Sequence, residues 1–388
     1  MTSRTATTFA PPVMEARRWA EGIPAEPPLL NVSQAAPVAP PPPPLLEAMA
    51  DFVLNDPATH LYGPVLGLPE LRAEVAMQSA NRYGGQVSPA QVAITSGCNE
   101  AYTAALAALC GEGDEVILPL PWYFNHKMAH DMAGVTTVPL GPGPGLVPSP
   151  EEAAALITPR TRAIVLVTPN NPSGVEYPAA TLRAFYELAR DRGLKLIVDE
   201  TYRDFHSGEG APHDLFAGPD WDATLIHLYS FSKAYRLTGH RVGAMIAAEP
   251  FLAEVEKYLD TVTICPTQLG QKAALWGMRN LAQWLAGERL EILARRQAIE
   301  EGFPRLAAKG WQLLGCGAYF AYVAHPFDLP SNEIAPRLAR EAGVLLLPGT
   351  MFMPKGHPEA ARQLRIAFAN LDVPAVATLF DRLDAFAP

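Results

Sequence analysis

One lysine, Lys233, lies where its amine could act as a nucleophile. It follows the apolar run Leu225–Leu228, within the segment Tyr229-Ser-Phe-Ser-Lys233. A lysine in a crevice at the end of a buried strand can have a lowered pKa, because burial disfavours the ammonium ion. The neutral amine can then attack a carbonyl carbon and form a Schiff base. The position of this lysine therefore indicates carbonyl chemistry.

Two further apolar runs are followed by polar side chains. Asp199 comes directly after Lys195–Val198, and Tyr202 lies three residues further on. Asn171 lies in a proline-rich turn after Ala163–Val167, where its amide can face a ligand. Since ligands bind at the carboxyl ends of the strands in an open α/β sheet, we expect these groups to share one site with the lysine.

A stretch of small residues, Ser96-Gly97-Cys98, separates the apolar run Val92–Thr95 from a helical stretch, Glu100–Leu109. Small residues that open a helix leave free N–H groups at the positive end of the helix dipole, where an anion such as phosphate binds. Ordinary helix caps have the same composition. The stretch therefore indicates an anion site only in combination with the other strand ends.

Short apolar runs predict the strands that position these groups, because parallel strands covered on both faces are continuously rich in Val, Ile and Leu. The runs are residues 92–95, 115–118, 163–167, 195–198, 225–228 and 242–246. Helical stretches alternate with them, for example Ala179–Arg190, which predicts an α/β fold with a large, doubly wound and mostly parallel sheet.

A smaller α+β domain is predicted from about residue 280, where the long amphipathic stretches Asn280–Glu301 and Ser331–Ala342 replace the short strands. We expect an N-terminal arm (1–45) that joins the small domain, a large domain (46–280) and a small domain (281–388). The proline-rich segment 37–44 cannot be helix or central strand and is predicted to be a rigid extended arm. A polyproline ligand for another protein is the alternative.

The composition limits the class of protein. The chain has 388 residues, 49% hydrophobic and 18% charged, which is enough apolar material for a large core and excludes a disordered protein. A net charge of −10 without a basic cluster argues against nucleic acid or a membrane as a partner. Four separated cysteines and no secretory or transmembrane pattern predict a soluble, cytoplasmic protein.

The motifs together resemble the pyridoxal-phosphate-dependent aminotransferases of class I/II, which have the aspartate aminotransferase fold (fold type I). The resemblance covers roughly residues 55–370 and rests on the order and spacing of several segments. These are Tyr62-Gly-Pro-Val-Leu-Gly-Leu-Pro-Glu-Leu-Arg72, Ser96-Gly-Cys98, Pro121-Trp-Tyr-Phe-Asn-His-Lys127, Asn171-Pro-Ser-Gly174, Asp199-Glu-Thr-Tyr202, Ser230-Phe-Ser-Lys233 with Arg241, and Arg365-Ile-Ala-Phe368.

The resemblance implies roles for these residues toward pyridoxal 5′-phosphate. Lys233 would hold the cofactor as a Schiff base and carry the proton, Asp199 would pair with the ring nitrogen, and Asn171 and Tyr202 would bind the phenolic oxygen. Tyr123, or alternatively Trp122, would stack on the ring. The phosphate would be bound by Ser96, Gly97, Cys98, Ser230, Ser232 and Arg241.

The resemblance further implies a homodimer, in which Tyr62 reaches the phosphate of the partner subunit, and a substrate bound by Asn171 and by Arg365, which takes the α-carboxylate. Lys233, Asp199 and Tyr202 would be the catalytic residues. Neutral or aromatic L-amino acids are the expected donors and a 2-oxo acid the acceptor, since no second arginine for a distal carboxylate is recognisable. Aspartate specificity and a C–S β-lyase remain alternatives. An aminotransferase-like sensor domain is disfavoured, because residues 1–45 are too short for a DNA-binding module.

His126 and His130 have the i, i+4 spacing of a metal pair, but no metal site is predicted. We interpret them as part of a solvated helix face. Cys98 is interpreted as a small residue beside the phosphate.

Overall fold

Strands alternate with helices from about residue 90 to residue 250 of the computed structural model, which describes residues 3–23, 26 and 28–388. The strands of these residues are β1 (Leu30–Asn31), β2 (Val92–Thr95), β3 (Glu115–Pro119), β4 (Thr136–Leu140), β5 (Thr161–Val167), β6 (Lys195–Asp199), β7 (Leu225–Ser230), β8 (Gly243–Ile246), β9 (Gln312–Gly317), β10 (Phe320–Ala324), β11 (Val344–Leu345), β12 (Leu347–Pro348) and β13 (Gln363–Ile366).

Six of the thirteen α-helices of the described residues have proline in one of their first two positions, which suits a first turn. The thirteen helices are α1 (Pro12–Trp19), α2 (Pro43–Asn55), α3 (Pro69–Tyr83), α4 (Cys98–Leu109), α5 (Phe124–Ala133), α6 (Pro150–Leu156), α7 (Ala179–Asp191), α8 (Phe231–Ala234), α9 (Glu249–Val262), α10 (Gln268–Asn280), α11 (Ala282–Ala307), α12 (Ser331–Ala342) and α13 (Val373–Ala385). In the described residues no helix is long and apolar enough to cross a membrane.

A seven-stranded sheet forms the larger part of the fold, in the order β2-β8-β7-β6-β5-β3-β4. Strands β7, β6, β5, β3 and β4 are parallel, and β8 is antiparallel to both of its neighbours. The predicted α/β fold with a large, mostly parallel sheet is confirmed. Strand β4 was not predicted, because it is a half-exposed edge strand and lacks a continuous apolar run.

A second sheet, with the order β12-β13-β10-β9, is antiparallel throughout and packs with α11, α12 and α13. The N-terminal segment joins this part of the chain, since β1 pairs in parallel with β11 through Leu30–Val344 and Asn31–Leu345. The proposed boundaries at residues 45/46 and 280/281 stay predictions.

The proline-rich segment 37–44 was predicted to contain no helix, but its last two residues are helical. Pro43 and Pro44 form the first turn of α2, whereas residues 37–42 are not helical. The first N–H groups of a helix have no intrahelical acceptor, so prolines cost nothing there and their restricted φ favours the turn. The exclusion of helix was therefore wrong for these two residues.

Candidate active site

A cavity of about 270 Å³ lies where β5, β6 and β7 end, at Val167, Asp199 and Ser230. Ten of the predicted site residues line it: Cys98, Tyr123, Asn171, Asp199, Tyr202, Ser230, Ser232, Lys233, Arg241 and Arg365. The carboxyl ends of parallel strands meet at one edge of the sheet, which brings together groups that are far apart in the sequence.

Asp199 is buried and its two carboxylate oxygens have different surroundings. Oδ1 accepts hydrogen bonds from the Thr201 N–H (3.0 Å), the Thr201 hydroxyl (2.7 Å) and the Cys98 thiol (3.5 Å). Oδ2 lies 3.3 Å from Nε2 of His126. Burial alone would raise the pKa of this carboxyl, but His126 and Thr201 outweigh it and lower the pKa below its usual value. The carboxylate is therefore ionised and can bind a cationic N–H group of a ligand.

The interpretation of His126 and His130 as a solvated face was wrong, because both imidazoles are buried. His126 faces Asp199, and His130 is hydrogen-bonded between Tyr102 and Thr137. Helix α5 contacts α4, so its histidine face turns inward. His126 is a site residue that was not predicted from the sequence, although it lies only three residues after Tyr123. Among the described residues no cluster of His, Cys, Asp or Glu could hold a metal ion.

Lys233 lies in the short helix α8, whose first turn is capped by Ser230: the Ser230 hydroxyl oxygen accepts from the Ser232 N–H. The amine donates to the carbonyl oxygen of Ala35 at 2.7 Å. Burial, followed by the charges of Arg241 and Arg365, lowers the pKa of Lys233 to about 8. The amine is therefore much easier to deprotonate than an ordinary lysine, as a nucleophile or base requires.

Arg241 forms one end of the cavity together with the start of α4. Its guanidinium donates to the Ser232 hydroxyl (3.4 Å) and to the backbone carbonyls of Thr238 (3.1 Å) and Ser96 (3.4 Å), and its own backbone has a positive φ of 52°. Gly97 is required beside it, because its φ is 95° and a Cβ there would overlap the guanidinium.

This end of the cavity fits a phosphate group. In the described part of the chain no carboxylate pairs with Arg241, and the buried hydroxyl of Ser96 has no hydrogen-bond partner. The N-cap Gly97 and the first residues of α4 have no intrahelical acceptor for their N–H groups. A guanidinium, free N–H groups and an unused hydroxyl are the donors that bind a phosphate dianion.

Arg365 forms the opposite end and is a buried cation, with 2% of its surface exposed. Nη1 donates to Oδ1 of Asn171 (2.9 Å), Nη2 donates to the Ser33 carbonyl, and Nε has no partner. The rings of Phe352 and Phe320 lie 5.0 and 5.1 Å from the guanidinium carbon, and no described carboxylate pairs with it. Burial lowers the pKa of Arg365 to about 10, so it stays charged at neutral pH. A buried cation without a counter-charge indicates an anionic ligand.

The two aromatic residues proposed to stack on the cofactor ring, Tyr123 and Trp122, line different cavities. Tyr123 lines the 270 Å³ cavity, and its hydroxyl accepts from Asn125 Nδ2 (2.8 Å) and donates to Asn99 Oδ1 (3.3 Å). Trp122 lines a different cavity of about 870 Å³. The geometry therefore favours Tyr123 over Trp122 as the stacking ring.

Three predicted residues do not line the cavity. Ser96 and Gly97 contact Arg241, which does line the cavity: the Ser96 carbonyl accepts from its guanidinium, and Gly97 lies against that group. Tyr62 lies on the surface, with 81% of its area exposed. Five further lining residues were not predicted from the sequence: Val13, Asn99, Asn125, Thr201 and Thr238. Phe124, expected next to the stacking ring, also lines the cavity, as do Gln34, Ala35 and Ala36, which belong to the stretch 31–37 that corresponds to the substrate-covering segment of the resembled family.

An amine of lowered pKa, an ionised carboxylate and two guanidinium groups without an acid partner among the described residues are the groups that carbonyl chemistry on anionic ligands requires. Comparisons with known proteins agree with this chemistry. The family described as aminotransferase class I and II matches residues 27–383. The chain is 30% identical to the aromatic aminotransferase ISS1 of Arabidopsis thaliana, over 81% of this chain and 79% of that protein.

Two further relatives extend the comparison. A probable aspartate/prephenate aminotransferase of Thermus aquaticus is 32% identical, over 76% of this chain and 77% of that protein. The solved N-succinyldiaminopimelate aminotransferase of Mycobacterium tuberculosis superimposes with a TM-score of 0.89 at 26% identity, covering 100% of both chains.

The chain belongs to the aminotransferase class I and II family, and it is an enzyme that transfers amino groups of amino acids. The family has the aspartate aminotransferase fold and generally depends on pyridoxal phosphate.

Proposed function

We propose that this enzyme binds pyridoxal 5′-phosphate in the 270 Å³ cavity and transfers the amino group of a neutral or aromatic L-amino acid to a 2-oxo acid. The observation that carries the proposal is the pair of guanidinium groups, Arg241 and Arg365, which face one cavity and have no acidic partner among the described residues. One suits the cofactor phosphate and the other suits the substrate carboxylate, with Lys233 and Asp199 lining the same cavity.

The donors at the Arg241 end would hold the cofactor phosphate, with Ser96, Gly97, Cys98, Ser230 and Ser232 completing that set. Asp199 would accept the N–H of the ring nitrogen, Tyr123 would stack on the ring, and Asn171 and Tyr202 would bind the phenolic oxygen. When bound, the cofactor supplies an electron sink for the bonding pair of the substrate α-carbon. Asp199 supports that chemistry because it is an anion that keeps the ring nitrogen protonated.

Lys233 has two tasks in this site. Its neutral amine would hold the cofactor covalently. Once the substrate amino group had displaced it, the amine would take the proton from the substrate α-carbon and deliver it to C4′ of the cofactor. A pKa near 8 suits both tasks, since the amine can be neutral before and protonated after proton transfer. Arg365 would hold the α-carboxylate and so fix which bond at the α-carbon faces the amine.

The donor class follows from the cations that line the cavity. In the described residues these are Lys233, Arg241 and Arg365, and each already has a task. The remaining wall includes Val13, Phe124 and the two amides of Asn99 and Asn125. A distal carboxylate would be desolvated there without a counter-charge, which is costly. Neutral and aromatic side chains avoid that cost, and the relative from Arabidopsis thaliana is named an aromatic aminotransferase.

The test is a panel of amino donors and 2-oxo acids, with the cofactor absorption spectrum followed as the amino group moves. We expect phenylalanine, tyrosine or methionine to exceed aspartate in kcat/KM, with 2-oxoglutarate or pyruvate as acceptor. Aspartate as the best donor by about tenfold, or about 1.4 kcal/mol, would contradict the proposed donor class. Pyruvate and ammonia released from cystathionine without an oxo acid would instead indicate a C–S lyase.

Replacement of Arg365 should weaken every substrate, because all donors carry the α-carboxylate. Arg365→Ala is expected to cost about 2–5 kcal/mol in kcat/KM, as for one partner removed from a buried charge pair. Arg365→Lys keeps the charge but loses the two-pronged contact, so it should recover part of the loss. Steady-state kinetics with two donors of different side chain provide the measurement. A loss confined to one donor would assign the guanidinium to the side chain instead.

We propose that the enzyme is a homodimer and that Tyr62 contributes to the phosphate site of the partner subunit. The neighbouring Leu61 is exposed, and the Gly63 N–H donates to the Cys265 sulfur at 3.4 Å, which brings this segment to the end of α9, where Val262 and Ile264 are exposed as well. Light scattering should give a dimer, and Tyr62→Ala should lower cofactor affinity. Leu61→Asp should weaken the dimer, whereas Leu290→Asp, at an exposed leucine of α11, serves as the matched control. An active monomer would contradict the proposal.

A further inference from the structure

The two histidines of α5 take part in a buried column of side chains that runs away from Asp199. The imidazole of His126 stacks on the ring of Tyr102, with centroids 3.8 Å apart and planes 23° apart. The Tyr102 hydroxyl lies 2.5 Å from Nε2 of His130, and Nδ1 of His130 lies 2.8 Å from the Thr137 hydroxyl. The column thus connects the carboxylate at the end of β6 with the edge strand β4.

The protons of this column can be assigned from the environment of its members. Burial raises the pKa of Tyr102 well above its usual value, so its hydroxyl stays protonated. Its hydrogen-bond partner in the described part of the chain is Nε2 of His130, so the hydroxyl donates to that nitrogen. Burial, and then the charges of His126 and Lys127, lower the pKa of His130 to about 3. His130 is therefore neutral, carries its proton on Nδ1 and donates to Thr137.

His126 has fewer fixed contacts than its neighbours. Nε2 faces Asp199, but the buried Nδ1 has no hydrogen-bond partner among the described residues. A histidine ring is usually oriented by the bond that its second nitrogen makes. Here that bond is absent, so the stack on Tyr102 and the edge contact with Tyr123, 5.1 Å between centroids, set the plane of the ring.

We propose that Tyr102 and His130 are positioning residues that hold His126 with its Nε2–H directed at Asp199. The bond from the Tyr102 hydroxyl to His130 keeps the phenol ring in place, and the phenol ring keeps the imidazole in plane with the carboxylate oxygen. Asp199 then presents a fixed anion to its ligand. The expected effect on cofactor binding rests on the proposed function, whereas the positioning of His126 by Tyr102 and His130 does not.

The experiment uses the full chain as purified, with its histidines labelled with ¹³C and ¹⁵N. The His126 ring signals are assigned by their loss in His126→Asn. In the unsubstituted protein NMR should show His126 as a single Nε2–H tautomer. Tyr102→Phe keeps the ring but removes the hydroxyl bond, so the Nε2–H should exchange with water about fivefold faster or more, the scale of one lost hydrogen bond. His130→Leu should act in the same direction, and His130→Gln, which retains one acceptor and one donor, should be milder.

Tyr322→Phe is the matched control, because it also removes one buried tyrosine hydroxyl bonded to one side chain, Gln363, at 2.9 Å. It should leave the His126 signals unchanged. A second readout is the affinity for pyridoxal 5′-phosphate, which should fall in Tyr102→Phe but not in the control. Unchanged tautomer and exchange in both Tyr102→Phe and His130→Leu would overturn the proposal. Absence of cofactor binding by the unsubstituted protein would instead count against the proposed function, with the NMR result still deciding on the column.

Discussion

Lys233→Ala is expected to lose nearly all transamination while still binding pyridoxal 5′-phosphate noncovalently. One amine supplies both the covalent attachment and the proton carrier, and general acid–base catalysis alone contributes about 10²–10⁴-fold. The phosphate donors around Arg241 do not depend on this lysine, so the cofactor should remain bound without the absorption band that shifts with pH. Single-turnover kinetics and absorption spectra provide the measurement, and normal transamination by the variant would refute the assignment.

Lys233→Arg is the informative control, because it keeps a cation in the cavity but has no neutral amine at accessible pH. It should be as inactive as Lys233→Ala.

The pH dependence of aldehyde capture gives a further check on the unsubstituted chain. With a pKa lowered from 10.5 to about 8, the cofactor-free protein should capture an aldehyde faster as pH rises through about 8 and then level off. A rate that keeps rising toward pH 10.5 would mean that the amine is not perturbed in solution.

Asp199→Ala is expected to weaken cofactor binding and to lower turnover by orders of magnitude. The buried carboxylate would otherwise keep the ring nitrogen protonated, and an unprotonated ring is a weak electron sink. Removing one partner of a buried charge pair costs about 3–5 kcal/mol, or roughly 10²- to 5 × 10³-fold in cofactor affinity. Equilibrium titration of the cofactor and steady-state kinetics measure the two effects.

Two conservative variants separate charge from shape at this position. Asp199→Asn can still accept from Thr201 but has no charge, so it should resemble Asp199→Ala. Asp199→Glu keeps the charge in a displaced position and should be milder. If Asp199→Asn turned over normally, the carboxylate would not act on the ring nitrogen. His126→Asn should then also leave turnover unchanged, since the polar contact of His126 in the site is with this carboxylate.

Local patterns in the sequence were enough for much of the fold. Parallel strands buried on both faces are continuous apolar runs, so β5, β6 and β7 could be recognised within two residues of their ends. The residues that follow such runs must lie at the carboxyl edge of the sheet, which is why Asn171, Asp199 and Lys233 were placed at one site. Where the local signal is weaker the prediction failed, as for the half-exposed edge strand β4.

The roles of Arg241 and Arg365 came from the family resemblance rather than from spacing. Arg365 lies on β13 and meets Asn171, a residue 194 positions away, and nothing in either local sequence specifies that contact. The buried state of His126 and His130 was likewise not readable from α5, because a helix with polar residues on several faces does not indicate which face turns inward.

By itself, the sequence determined the α/β class, most of the strands and the polar groups at their ends, because these depend on periodicity and on residues adjacent in the chain. The tertiary structure decided which distant residues complete the site. The pairing of β1 with β11 brings Ser33 to Arg365 and Ala35 to Lys233, and the packing of α5 brings His126 to Asp199. Contacts of this kind join segments far apart in the chain, and their free energy arises only when both segments are folded, so no local pattern records them.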